Sequence, residues 1–185
     1  DLLSMETADA IMAEVRTVVL FDIDGTLVHA GRAGFRGMTA AFQALYGVAG
    51  ALEGVPLAGR TDRAIVTGVL EALGHAPTGD AVSALRESYL THLAREMSAP
   101  VPGAAILPGV TRVLDALASR PSVGMGLLTG NFERGAAIKL GYFALWSRFG
   151  FGAFGDEHVD RRDLVPVAQA RAGRAGLRVP VERFV

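Results

Sequence analysis

The sequence predicts an α/β fold in which a doubly wound parallel sheet carries a unit of helices inserted after its first strand. The apolar run Val18 to Phe21 ends at the turn-forming pair Asp24-Gly25, which is typical of a buried strand. Residues 31–104 show only helical periodicity, whereas strands and helices alternate afterwards. We therefore expect residues 15–30 and 105–185 to form the core and residues 31–104 to form a helical cap.

Each predicted element has its own pattern. In the cap, apolar residues at helical spacing, separated by turns rich in Gly and Pro, predict three helices: Phe35 to Tyr46, Asp62 to Leu73 and Asp80 to Met97. In the core we expect a helix near residues 110–117, a strand at 123–128, a helix at about 133–146, a strand at 149–154, a helix capped by Asp163 that ends near 173, and the start of a strand at 181–185. Residues 1–14 have the spacing of a short amphipathic helix.

Composition excludes several classes of protein. Half of the 185 residues are apolar and one-fifth are charged, which suits one domain with a buried core. A net charge of −1 offers no basic field for nucleic acid or an anionic membrane. Cysteine is absent, which excludes disulfides and thiolate chemistry. We expect a cytoplasmic protein, because neither a signal peptide nor an apolar run of membrane-spanning length is present.

Two carboxylates follow the first predicted strand. Asp22 and Asp24 lie two residues apart where ligands bind in open α/β sheets, at the carboxyl end of a strand. Close like charges require a cation or a shared proton, which suits a magnesium site beside a phosphate. The pair also suits a nucleophile next to a group that transfers protons. Gly25 permits a sharp turn and Thr26 offers a hydroxyl to fix the loop, and we expect both residues to lie at the substrate. The alternative is an ordinary strand-ending turn.

The strand, the carboxylate pair and the helical insertion together resemble the haloacid dehalogenase-like hydrolase superfamily, whose core is Rossmann-like. The first motif of that superfamily is matched by VVLFDIDGTL, and the second by GLLTGN, which contains Thr129. The helical insertion lies between the two motifs, where the phosphoglycolate phosphatase-like subfamily has its mobile cap. The segment PLAGRTDRAI is also similar to that cap.

The resemblance implies roles for individual residues. Asp22 would be the nucleophile that forms an aspartyl-phosphate, and Asp24 the general acid and base. Thr129, with the amides near Gly130 and Asn131, would hold the phosphoryl oxygens. Mg²⁺ would be bound by the carboxylate of Asp22 and the backbone carbonyl of Asp24. The presence of Asp24 disfavours dehalogenation, because the true dehalogenases of the superfamily lack this acid.

The resemblance also implies a cationic side chain at the phosphate. Lys139, the chain's only lysine, lies ten residues after Thr129 on a predicted helix and is the leading candidate. The alternative is that Lys139 is merely an exposed residue on the surface of its helix. In that case Arg161 or Arg162 would supply the cation. Further metal-binding acids are expected after the next strand, beyond Val185; Gly155-Asp156-Glu157 follows an earlier strand, and we expect Asp156 to be a loop residue near the site.

The cap and the substrate are predicted less fully. Arg60 precedes a helix start and would meet an anionic substrate, although capping of that helix by Thr61 or Asp62 is an equal alternative. Arg32 and Arg36 lie near the hinge, where we favour a solvated role. A cap over the site implies a small phosphorylated metabolite.

We therefore predict a magnesium-dependent phosphatase for a small phosphomonoester that resembles phosphoglycolate or a sugar phosphate. The alternatives are a non-catalytic phosphate-binding or regulatory protein and a sugar-phosphate mutase. The phosphonate hydrolases, which the resemblance also brings in, use a lysine of the cap. This alternative is ranked last, because residues 31–104 contain no lysine. The oligomeric state is left open.

Overall fold

The computed structural model describes residues 15–185; the helix predicted for residues 1–14 lies outside the described part. In chain order the described strands are β1 (Thr17–Phe21), β2 (Val28–Ala30), β3 (Ala104–Ile106), β4 (Val123–Leu128) and β5 (Gly152–Ala153). The α-helices are α1 (Ala33–Tyr46), α2 (Asp62–Ala72), α3 (Gly79–Glu96), α4 (Val110–Ala118), α5 (Glu133–Tyr142) and α6 (Leu164–Arg174). No helix within residues 15–185 combines the length and the apolarity needed to cross a membrane.

The main sheet is parallel and has the order β1-β4-β5. Thr17 lies opposite Val123 and Phe21 opposite Leu127, so β1 and β4 end at the same edge. On the outer side of β1, Phe184 forms a parallel bridge with Val18. A parallel sheet with helices between its strands confirms the predicted α/β fold. Side chains that follow β1 and β4 are therefore brought together at one edge of the sheet.

A second, two-stranded ribbon was not predicted. Strands β2 and β3 pair antiparallel, with Val28 opposite Ile106 and Ala30 opposite Ala104. Each strand has only three residues, which is too short for period-two alternation to be recognised in the sequence. The ribbon joins the chain where it enters and leaves the helical segment α1–α3. The division between core and cap at residues 31 and 104 remains a prediction.

The helical segment has its own apolar core. Helices α1 and α3 pack closely where Gly37 faces Leu93; a Cβ on Gly37 would lie 3.1 Å from the Leu93 nitrogen. Phe42 and Tyr89 are among the fully buried side chains of this cluster. A fully buried side chain of this size contributes about 1.5–3 kcal/mol to stability. A separate cluster around Ile23 surrounds the ends of β1 and β4. The close packing of α1 on α3 shapes the wall above the sheet edge.

Several local predictions differ from the structure; for example, α5 ends at Tyr142 rather than near residue 146. Helix α6 begins at Leu164, but the side chain of Asp163 forms no capping hydrogen bond. Instead, Asp160 accepts a hydrogen bond from the backbone N–H of Arg162 at 2.9 Å and caps the preceding 3-10 turn. The strand predicted at 149–154 is reduced to β5, because only Gly152 and Ala153 pair with β4 as a strand. The segment Val181–Arg183 is a 3-10 turn, and extended pairing with β1 begins only at Phe184.

Candidate active site

The carboxyl ends of β1 and β4 open into a cavity of about 720 Å³ between the sheet edge and the helical segment. Its wall contains all four residues to which the sequence assigns catalytic roles: Asp22, Asp24, Thr129 and Lys139. Asp22 and Asp24 follow β1, and Thr129 follows β4, as the parallel register requires. Lys139 comes from α5 and is only 5% exposed, so the alternative of an exposed helix lysine is wrong. The structure thus brings the predicted residues to one cavity.

A hydrogen-bonded network joins Asp24, which follows β1, to the residues that follow β4 and to Lys139 of α5. The Lys139 Nζ donates to Asp24 Oδ2 at 2.7 Å and to Asn131 Oδ1 at 2.6 Å. The Asn131 Nδ2 donates to Asp24 Oδ2 at 2.8 Å and to Thr129 Oγ1 at 2.9 Å. The side-chain amide of Asn131 therefore orients both the carboxylate of Asp24 and the ammonium group of Lys139. The sequence pointed to backbone amides near this residue, and its bridging side chain was missed.

The charge on Asp24 is set by two opposing effects. Burial raises the pKa of its carboxyl, whereas the charge of Lys139 and the hydrogen bonds from Lys139 and Asn131 lower it. Together the effects that lower the pKa exceed the effect of burial, so the pKa of Asp24 lies below its ordinary value. In the free protein, Asp24 is consequently an ionised carboxylate held by a buried ammonium group.

The second carboxylate has a different cation. Arg161 Nη2 lies 3.1 Å from Asp22 Oδ1 and also donates to the Leu128 carbonyl at 3.3 Å. Arg162 pairs with Asp160 instead and is 89% exposed. Of the two arginines that the sequence left as alternatives to Lys139, only Arg161 reaches the site. The two carboxylates are therefore each paired with a separate cation.

The lysine depends on a glycine that the sequence did not single out. A Cβ on Gly34 of α1 would lie 3.2 Å from Lys139 Nζ and 3.5 Å from the Tyr89 hydroxyl. The contact with Lys139 would be tighter than ordinary van der Waals packing, whereas the contact with Tyr89 would be an ordinary one. The missing side chain leaves room for the ammonium group beneath α1. Tyr89, which the sequence also did not single out, lines the same cavity.

The start of α2 is tied to the loop after β4. The Asp62 N–H donates to the Gly130 carbonyl at 2.7 Å, and Asp62 Oδ2 accepts from the Phe132 N–H at 2.9 Å. Thr61 caps α2 by accepting from the Ala64 N–H at 3.0 Å, as the capping alternative predicts. Gly130 is required by this contact, because a Cβ there would clash with the backbone carbonyl oxygen of Arg60. The helical segment and the Thr129 loop are thus in direct contact.

The carboxyl group of Asp62 is buried in this contact, which disfavours its charged form. Burial raises its pKa to about 6, even though Lys139 and the Phe132 N–H both act to lower it. The nearby charges of Asp24 and Asp156 add to the increase. Since the unfolded chain has the ordinary carboxyl pKa near 3.8, the folded state binds this proton more tightly. Stability is therefore expected to fall as the pH rises from about 4 to about 6.

Asp62→Asn is expected to be more stable than the wild type by about 1–3 kcal/mol at pH 7.5, with the gain disappearing near pH 4. The variant keeps an oxygen that accepts the Phe132 N–H but removes the buried charge. Urea unfolding at the two pH values measures the difference. Asp80→Asn, at an exposed position in the first turn of α3, is the control and should show no comparable gain. An equal gain for Asp62→Asn at both pH values would contradict this account.

Other predicted residues lie at the margin of the cavity or outside it. Arg60 lines the cavity, and its Nη2 donates to the Ala64 carbonyl at 3.0 Å. Gly25 has a positive φ of 78° and forms the turn after β1 with Thr26; neither residue is part of the cavity wall. Asp156 accepts from the Glu133 N–H at 2.6 Å at the start of α5. Its carboxylate therefore caps a helix.

The fold and the site together define an α/β enzyme domain with an acidic pair at the end of its first strand. A model of the haloacid dehalogenase-like hydrolases matches residues 17–168, and the chain belongs to this family. The resemblance drawn from the first two motifs is thereby confirmed. No sequence among the curated proteins matches the chain.

Solved structures share the fold at low sequence identity. CbbY from Rhodobacter sphaeroides in complex with phosphate is 19% identical, with a TM-score of 0.67 over 92% of this chain and 76% of that one. A predicted phosphatase from Clostridium acetobutylicum is 14% identical, with a TM-score of 0.65 over 93% and 75%. A predicted phosphoglycolate phosphatase from Haemophilus somnus 129PT is 15% identical, with a TM-score of 0.57 over 90% and 74%. The neighbours therefore support the α/β core with inserted helices.

Proposed function

We propose that the protein is a phosphatase that hydrolyses a small phosphomonoester through an aspartyl-phosphate on Asp22. The observation that carries this proposal is the meeting of Asp22, Asp24, Thr129 and Lys139 in one cavity at the sheet edge. Such a set supplies a nucleophile, a proton carrier, a hydroxyl and a cation within one site. Family membership supports the same chemistry.

In the first step, a carboxylate oxygen of Asp22 attacks phosphorus and the bond from phosphorus to the ester oxygen breaks. Asp24 gives a proton to the departing oxygen, so the leaving group is released as an alcohol. The ionised Asp24 then takes a proton from water, which attacks the phosphorus of the aspartyl-phosphate. This second step releases inorganic phosphate and regenerates Asp22.

Lys139 links substrate binding to the proton on Asp24. In the free protein its ammonium group holds Asp24 ionised. A bound phosphoryl group competes for that ammonium, because a phosphate dianion carries more charge than one carboxylate. As Lys139 turns toward phosphate, the pKa of Asp24 rises and the carboxyl can carry the proton that the leaving group needs. Lys139 and Thr129 then stabilise the charge on the transferring group.

Magnesium is the cofactor that this donor set fits. The side chains available are two carboxylates, and Mg²⁺ is commonly bound by one or two carboxylates completed by water and phosphate oxygens. Within residues 15–185, no cluster of three or more His, Asp or Glu side chains is arranged to hold a metal ion. Asp22 and the Asp24 carbonyl would hold the ion, which would neutralise charge between Asp22 and the phosphate.

The size of the substrate follows from the helical segment above the site. A cavity of about 720 Å³ under helices admits a metabolite but not a macromolecule that must keep its own fold. The CbbY structures contain phosphate and, in a variant, xylulose-(1,5)bisphosphate. These ligands support a small phosphorylated metabolite here. A non-catalytic phosphate-binding protein and a sugar-phosphate mutase are the outcomes against which the proposal is tested.

The proposal is tested by phosphate release from a panel of small phosphomonoesters, with Mg²⁺ and with a chelator. We expect release that requires Mg²⁺ and is fastest for one ester or a few related esters. Binding of the esters without release would favour the non-catalytic protein. Conversion of a sugar phosphate to its isomer without net release would favour the mutase.

A further inference from the structure

The cavity extends well beyond the catalytic residues. Its wall on the side of the helical segment is mainly apolar and contains Phe35, Met38, Leu52, Leu57, Ile65 and Tyr89. Pockets for drug-sized ligands have volumes of about 300–1,000 Å³, so this cavity has room for a leaving group as well as the phosphoryl group. The charged residues that the helical segment contributes to the wall would then determine which leaving groups bind.

Arg32 lies at the junction between β2 and α1, in an unusual backbone conformation. It has φ 63° and ψ 15°, in the left-handed region that disfavours residues with a Cβ. This conformation costs a residue other than glycine about 1–2 kcal/mol. Gly31, the residue before it, also has a positive φ. The chain therefore keeps an arginine at a position where glycine would be less strained.

The guanidinium of Arg32 is held over the ring of Phe35, at 4.6 Å from the ring centroid. Within residues 15–185 it forms no ion pair, although it lines the cavity. Arg36, one helical turn further on, differs in both respects. It donates to Glu96 Oε2 at 2.7 Å and to the Gly31 carbonyl at 2.7 Å, and it is not part of the cavity wall.

The acids of the cavity wall do not balance the charge of Arg32. Asp22 is paired with Arg161 and Asp24 with Lys139. Asp62 accepts from a backbone N–H of the Thr129 loop. The guanidinium of Arg60 is turned along α2 toward the Ala64 carbonyl. A positive charge on the cavity wall is thus left for a ligand.

We infer that Arg32 determines specificity by binding an anionic group, a carboxylate or a second phosphate, on the leaving-group part of the substrate. This inference rests on the proposed phosphatase function. A guanidinium presents paired N–H donors that match both kinds of anion. The preferred substrates are accordingly phosphomonoesters whose alcohol portion carries its own negative charge.

The inference is tested with pairs of esters in which a hydroxyl-bearing group replaces the anionic group. 2-Phosphoglycolate is compared with 2-hydroxyethyl phosphate, and propane-1,3-diol bisphosphate with 3-hydroxypropyl phosphate. Arg32→Gln should lower kcat/KM for the charged member of the preferred pair at least about 10-fold and change the neutral member much less. The pair that shows this loss identifies the anion as carboxylate or phosphate. Arg36→Gln is the matched control and should leave all four values within about twofold.

Binding measured without turnover separates this inference from the proposed function. Calorimetry with Asp22→Asn and with the double variant Asp22→Asn/Arg32→Gln gives the Kd of each ester. A preference for charged esters that is lost with Arg32 supports the inference even if the wild type releases no phosphate. Arg32→Gly, which relieves the backbone strain, should lose the same preference while remaining folded. Equal weakening of charged and neutral esters, or no weakening, overturns the inference.

Discussion

Asp22→Asn is expected to lower kcat for phosphate release at least about 1,000-fold, because an amide cannot replace the carboxylate that attacks phosphorus. The side chain stays nearly the same size and keeps one oxygen near Arg161, so the fold should be retained. Single-turnover and steady-state phosphate release in the presence of Mg²⁺ measure the loss. Trapping of a phosphorylated protein in the wild type and not in the variant would locate the phosphoryl group on this residue.

Asp115→Asn is the control for this substitution. Asp115 is a half-exposed carboxylate paired with Arg148 at 2.7 Å, and surface pairs of this kind contribute at most about 1 kcal/mol. Activity should therefore remain close to that of the wild type. If Asp22→Asn retains wild-type release while the Asp115 control does the same, the nucleophile is not Asp22 and the proposed chemistry is wrong.

Lys139→Ala is expected to lower kcat/KM about 100- to 1,000-fold, which is the usual effect of removing one preorganised group that stabilises transition-state charge. Lys139 is the buried cation that contacts both Asp24 and Asn131. Its removal therefore also releases Asp24 from the contact that lowers its pKa. The pH profile of kcat/KM should therefore shift to higher pH, in addition to the loss in rate.

Three further variants make the lysine experiment decisive. Lys139→Met keeps the buried aliphatic stem, so a loss of activity in this variant cannot be attributed to a cavity in the core. Arg162→Ala should be close to wild type, because Arg162 is exposed and contacts Asp160 rather than the site. If Lys139→Met retains activity and Arg161→Ala loses it, the cationic role belongs to Arg161.

The sequence was most informative where chemistry and backbone geometry coincide. Asp22, Asp24 and Thr129 follow apolar strands, and parallel pairing of β1 with β4 places them at one edge. Lys139 could be proposed because it is the only lysine. Its burial could not, since helix α5 lacks a clear apolar face that would have indicated which side is buried.

The missed residues depend on contacts between distant segments. Asp62 was considered only as a cap for its own helix, whereas its carboxylate accepts from the N–H of Phe132, seventy residues away. Gly34 matters because of the ammonium group beneath it. Arg32 looked like a solvated hinge residue, because no local pattern reveals a positive φ or a position over Phe35. Such contacts become visible only when the helical segment is placed over the sheet.

The solitary lysine has a practical consequence for chemical labelling. In these 185 residues the only side-chain amine is 5% exposed and is paired with the carboxylate of Asp24, while the other basic residues are arginines. Reagents that acylate amines therefore have one internal target, since guanidinium groups do not react under the same conditions. The extent of labelling becomes a direct readout of access to the cavity. A ligand that occupies the site protects the amine, and a movement that opens the helical segment exposes it.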